Sequence, residues 1–165
     1  ANGIYATVHE TAHQWWYAMV GSNQIENAWQ DEGLAEYSTL CFFENNPAYG
    51  FTRTGLVNSA KEAYRAYYSV YNQIFGDADT SMNRHLKDFV SDYEYVNIAY
   101  NKGLIMFDTL RDSIGDERFF AALKKYFSSS CGKNVSPDAL IESFTSTGVD
   151  LDGFFESFTE GKIII

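Results

Sequence analysis

Apolar side chains recur along this chain at helical rather than strand spacing. Ile4, Val8 and Ala12 lie four residues apart and predict a first helix over about Ile4 to Met19. Gly21-Ser22-Asn23 breaks it, and the stretch up to Trp29 is a connection. A second helix is predicted from about Asp31 to Phe43, stopping before Asn45-Asn46-Pro47. In the third, from about Gly50 to Ile74, Ala60, Ala63, Tyr64, Tyr67 and Tyr71 form an apolar stripe expected to face a core. A fourth helix follows from about Tyr95 to Ser113, ended by Gly115, and a fifth from Asp116, as N-cap, to about Phe127. Ser136-Pro137 then opens a sixth, with Ser as cap and Pro in the first turn, and Gly148 closes it. Asp150 begins a short last helix through about Phe158. No alternating run is long enough for a strand; Lys162-Ile163-Ile164-Ile165 is either the start of a following domain or a plain chain end. The expected fold is all-α, with about six or seven helices in one domain spanning residues 1–165.

Composition narrows the class. Apolar residues make up 45% of the 165 positions and aromatics 17%, enough for one real core with many large side chains between helices. The net charge is −10, and no Lys or Arg cluster exceeds Lys124-Lys125. Nucleic acid, which needs a basic surface, is therefore not an expected partner. An anionic membrane surface fits equally poorly, and no apolar run approaches the eighteen residues of a membrane span. Cys41, in the apolar run Leu40-Cys41-Phe42-Phe43, is expected to be a buried thiol, and it and Cys131 make no disulfide framework. In the Gly76–Ser81 loop, Asp77 and Asp79 lack the glycine and terminal glutamate of an EF-hand loop, so calcium is not expected there. His85 reads as a surface residue.

The chemistry concentrates in His9-Glu10-Thr11-Ala12-His13 and in Glu32, within Trp29-Gln30-Asp31-Glu32-Gly33-Leu34-Ala35-Glu36-Tyr37. Residues i and i+4 of a helix share a face, so His9 and His13 can reach one ion. Glu32, from a second helix, would complete a three-ligand zinc site with an open fourth position, as catalytic sites require. Glu10 points beside such an ion, where a carboxylate can take a proton from activated water. Ligating imidazoles commonly donate their other N–H to a carboxylate or carbonyl. Glu36, one turn after Glu32 on the same face, is the candidate for that role, with a solvated surface glutamate as the competing reading.

Eighteen residues separate His13 from Glu32, and with that spacing the chain resembles the aminopeptidase N and leukotriene hydrolase family of gluzincin metallopeptidases. The flanks agree: Gln14-Trp15 follows the second histidine, and Trp29-Gln30-Asp31-Glu32-Gly33 is similar to the family's Trp-Leu-Asn-Glu-Gly. Thermolysin-like enzymes use a slightly longer gap, with an aspartate where this chain has Glu36. Metzincins need a third histidine within the stretch from Gln14 to Gly21, which has none. Further on, Tyr100-Asn101-Lys102-Gly103 resembles the family's Tyr-x-Lys-Gly. The resemblance implies that the Tyr100 hydroxyl stabilises the oxyanion of the tetrahedral intermediate, with Tyr93 and Tyr95 as neighbouring competitors.

The resemblance further implies one zinc ion (Zn2+) per chain, held by His9, His13 and Glu32, and hydrolysis of peptides with a free N-terminus, with Glu10 as general base. The family's Gly-x-Met-Glu-Asn loop, which holds the substrate amine, lies upstream of the zinc helix, and only eight residues precede His9 here. The chain is accordingly expected to be the helical lobe of a zinc metallopeptidase catalytic domain, a fragment of a longer protein, weakly active or inactive without the remaining lobe. Two alternatives stand beside this: a non-catalytic interaction module with a peptidase-like fold, and a hydrolase acting on a non-peptide substrate.

Overall fold

The computed structural model describes residues 2–162 and 165; Ile163 and Ile164, and with them the chain-end alternatives, lie outside the described residues. The helices are α1 (Asn2–Ala12), α2 (Trp29–Asn45), α3 (Arg53–Phe75), α4 (Asp92–Tyr95), α5 (Gly103–Ile114), α6 (Asp116–Ser130), α7 (Pro137–Thr145) and α8 (Phe154–Thr159). A π-helical segment, Val96–Lys102, joins α4 to α5 without a break, so Asp92 to Ile114 is one rod. Counted that way there are seven helices among the described residues, and the fold is all-α. Its strands are two residues each: β1 (Val20–Gly21) pairs in parallel with β2 (Lys133–Asn134).

Local signals account for most boundaries. Thr52 caps α3 by accepting from the Gly55 amide, and Gly76 ends it at φ 80°, where a side chain would be strained. Ser91 caps α4, which starts three residues before the predicted Tyr95. Asp116 is the first residue of α6 rather than its cap, because its carboxylate is taken by Arg111, with Nε–Oδ1 at 2.8 Å. Ser136 stands at the cap position of α7 with Pro137 inside, yet makes no side-chain cap bond.

The largest departure is the first helix, which ends at Ala12 instead of Met19. Nothing in Gln14–Met19 breaks a helix locally; tertiary contacts do. The Trp16 indole donates to Ser38 Oγ at 2.7 Å, and the chain then turns through Tyr17, at φ 140°, into β1.

The core is aromatic, as the composition implied. Trp29, Tyr37, Leu40 and Phe43 of α2 are buried with Tyr64 and Tyr67 of α3, and with Ile98, Ile105 and Phe107 of the rod. Ala60, Tyr64 and Tyr67 confirm the predicted stripe of α3. Phe119 and Phe144 extend the core to α6 and α7. Cys41 is half-buried against it, and burial pushes its thiol up to about 12; Cys131 is exposed. No helix of the described residues is long and apolar enough to cross a membrane.

Candidate metal centre

α1 and α2 meet side by side, and their i, i+4 pairs form two rungs. His9 faces Glu32, and one turn away Tyr5 faces Glu36. His9 spans both rungs: Nε2 lies 3.2 Å from Glu32 Oε2, and Nδ1 lies 3.0 Å from Glu36 Oε1. The Nδ1 contact is close but off the line of a well-formed hydrogen bond.

His13 falls one residue past the end of α1 but keeps its place opposite His9. Its Nδ1 lies 3.0 Å from the Trp16 carbonyl oxygen, which can only accept, so the proton sits on Nδ1 and Nε2 is turned inward. The early end of α1 thus has a local consequence: the backbone that leaves the helix supplies the group orienting this ring.

Three atoms converge. His9 Nε2 and His13 Nε2 are 3.2 Å apart, and Glu32 Oε2 lies 3.2 Å from the first and 3.3 Å from the second. Ligands about 2.0–2.1 Å from a tetrahedral zinc ion are separated by about 3.3 Å, so this triangle has the dimensions of one face of such a site. The donor set fits zinc as well: two imidazole nitrogens with their other nitrogens turned outward, and one carboxylate oxygen. Among the described residues this trio is the group of three or more His, Cys, Asp and Glu side chains close enough to share a metal.

The charges of the two histidines and the carboxylate act on one another. Burial opposes protonation of His9, but Glu32 and Glu36 outweigh it and lift its pKa to about 9. His13 is raised as well, chiefly by its bond to Glu32. Burial would raise Glu32, yet His13, His9 and the Tyr100 hydroxyl hold it down to about 2. The carboxylate is therefore charged throughout the neutral range, as a metal ligand must be.

Glu10, also on α1, is exposed and is not among the three converging side chains. Tyr100 stacks its ring on that of His9, with centroids 5.4 Å apart and planes 13° apart. Tyr95 meets Tyr100 edge-on at 5.6 Å, and its hydroxyl lies 3.4 Å from Glu32 Oε1. Both tyrosines thus reach the centre. Tyr93 points elsewhere, packing against Tyr67 and Tyr71.

Several residues that shape the centre carried no role in the sequence. Asp31 is buried beside Glu32, where burial raises it to about 6; it accepts from Gln24 Nε2 at 2.5 Å and from the Glu32 amide at 2.9 Å. The Lys102 ammonium is buried between the carbonyls of Thr80 and Phe158, at 2.5 and 2.8 Å, tying the rod to the preceding loop and to α8. Arg84, next to the half-exposed His85, is half-buried, pairs with Glu94 at 3.0 Å and lies over the Phe89 ring. Tyr5 had a legible signal, since it precedes His9 by four residues as Glu36 follows Glu32 by four.

Comparison with known proteins agrees with this architecture. Residues 3–158 match the Peptidase family M1 domain. The chain is 24% identical over 156 residues to human endoplasmic reticulum aminopeptidase 2, covering 94% of this chain and 15% of that protein. It superposes on the crystal structure of an M1 zinc metallopeptidase from Deinococcus radiodurans with a TM-score of 0.72 at 23% identity, over 98% of this chain and 33% of that one. A mutant of the same enzyme bound to a Tyr-Ser-Ala substrate gives 0.73 at 22% identity, over 98% and 34%. The chain therefore spans about a third of the solved relatives and less of the curated one.

Proposed function

The chain belongs to peptidase family M1, a family of metallopeptidases, and on that premise we propose that its site hydrolyses peptide bonds at free N-termini with zinc as cofactor. The observation that carries this reading is the 3.2–3.3 Å triangle of His9 Nε2, His13 Nε2 and Glu32 Oε2, with Glu10 on the same helix as the two histidines. Those three atoms would hold the ion. When bound, zinc supplies Lewis acidity, making water a nucleophile near neutral pH and polarising the scissile carbonyl.

The side chains supply the rest. Glu10, exposed on α1, accepts the proton of the attacking water and can return it to the leaving amine. The Tyr100 hydroxyl donates a hydrogen bond to the oxyanion that forms on the peptide carbonyl. Its proton is secure, because burial and then the Glu32 charge push its pKa well above the ordinary tyrosine value. Glu36 and the Trp16 carbonyl orient the two imidazoles from behind.

We assign the activity to the protein that contains this chain, with the segment that holds the substrate amine contributed from outside these 165 residues. Positioning of the peptide is worth about 7–11 kcal/mol of barrier, so the chain by itself should hold zinc while hydrolysing slowly. The test uses an amide-linked reporter on an amino acid with a free amine and on its N-acetylated analogue. Preferential cleavage of the free-amine substrate, abolished by Glu10→Gln with zinc retained, supports the reading. Equal cleavage of the two substrates, or full activity in Glu10→Gln, contradicts it.

A further inference from the structure

Tyr5, which faces Glu36 in the second rung of the α1–α2 contact, has no part in the mechanism above. Tyr5 donates its hydroxyl hydrogen to Glu36 Oε2, while Oε1 of the same carboxylate faces His9 Nδ1 at 3.0 Å. Among the described residues Tyr5 is the only side chain that donates a well-formed hydrogen bond to Glu36. The tyrosine ring is itself fixed: it stacks on Phe43, with centroids 5.7 Å apart and planes 13° apart, and meets Phe51 edge-on at 5.9 Å. Phe43 is fully buried, so the ring is anchored to the core rather than to a mobile surface.

A glutamate carboxylate turns readily about its last torsion and can present either oxygen to either side. Glu36 therefore cannot hold His9 unless something holds Glu36. We infer that Tyr5 is a positioning residue of the metal centre: by engaging one carboxylate oxygen of Glu36 it keeps the other against His9 Nδ1, which turns Nε2 toward His13 and Glu32. The inference rests on the metal-centre reading of the three converging atoms. It assigns to Tyr5 a contribution to metal affinity rather than contact with metal or substrate. Burial, and then the neighbouring Glu36 charge, push the Tyr5 hydroxyl above its ordinary pKa, so it remains a donor across the working range.

Removing the hydroxyl while keeping the ring separates this role from packing. Partners of ligating histidines typically change metal affinity by about 10–100-fold when removed, and Tyr5 stands one bond further out. Tyr5→Phe should weaken zinc binding by the full chain about tenfold in competition with a chelator, with the zinc-free variant still folded. In a Glu36→Gln background the same substitution should change affinity less than twofold, because the group through which Tyr5 acts is already altered. Undiminished affinity in Tyr5→Phe, or the same loss in both backgrounds, overturns the inference alone. A wild type that binds no zinc overturns the metal-centre reading and this inference with it.

Discussion

Gly33 and Gly103 meet across the contact between α2 and α5 so closely that a Cβ on Gly103 would stand 2.8 Å from the Gly33 Cα. Gly33 follows Glu32, and Gly103 lies three residues after Tyr100. The approach of these two backbones therefore sets how near the tyrosine comes to the carboxylate, and through it to His9. This accounts physically for the glycine that closes each of the two motifs, Trp29–Gly33 and Tyr100–Gly103.

Gly103→Ala is expected to destabilise the chain. Ala gains about 1 kcal/mol of helix propensity over Gly, but the methyl meets backbone, and forced overpacking costs about 1–3 kcal/mol. Gly3→Ala is the control, since its Cβ would meet nothing within 4 Å and only the propensity gain remains. Thermal unfolding should give a lower midpoint for Gly103→Ala and an unchanged or higher one for Gly3→Ala. A shift of the same sign in both would show that the glycine pair does not set the approach.

Lys102 gives the stability a defined pH dependence. Burial, and then the Arg84 charge, lower its pKa from 10.5 to about 7. Between those values the unfolded chain binds more protons, so this group adds stability as the pH rises from 7 to 10.5. His9 acts in the opposite sense: raised to about 9, its contribution is complete below 6.5 and is lost as the pH rises through 9. Comparison with Lys102→Met isolates the lysine. With a chelator present, urea unfolding should show the stability of the wild type relative to the variant growing by up to about 1.4 kcal/mol per pH unit between pH 7 and 10.5. A difference independent of pH would mean that Lys102 titrates normally.

Tyr100→Phe is expected to lower kcat by about 10²–10³, the usual cost of one oxyanion donor, with zinc content and fold unchanged. Tyr95→Phe should cost less than about tenfold, because Tyr95 packs edge-on against Tyr100 while Tyr100 itself stacks on His9. Steady-state kinetics of the protein that contains the chain decide between them. The reverse order of losses would move the oxyanion role to Tyr95.

What was legible in the sequence, and what was not, divides along a physical line. The convergence of His9, His13 and Glu32 could be read because helical spacing puts the two histidines on one face and the motif spacing sets a carboxylate opposite them. Helices α2, α3 and α6 could be read because their stripes and end signals are local. The end of α1 at Ala12 could not, since it depends on the contact of Trp16 with Ser38 and the pairing of Val20 with Lys133, both distant in sequence. The π-helical segment that carries Tyr100 was likewise invisible. Its amides shift by one bonding position while residue types stay helix-compatible, and such segments often occur at functional sites. Glu94 and Lys102 look like surface charges in sequence and are buried only because each finds its partners in the fold, as does the half-buried Arg84.

The central claim is that His9, His13 and Glu32 form one zinc site, and zinc content measures it most directly. Elemental analysis of the purified chain after zinc loading and removal of free metal should give one zinc per wild-type chain. His13→Ala, left with two of the three ligands, should lose most of it. Equal zinc in wild type and His13→Ala would contradict the assignment.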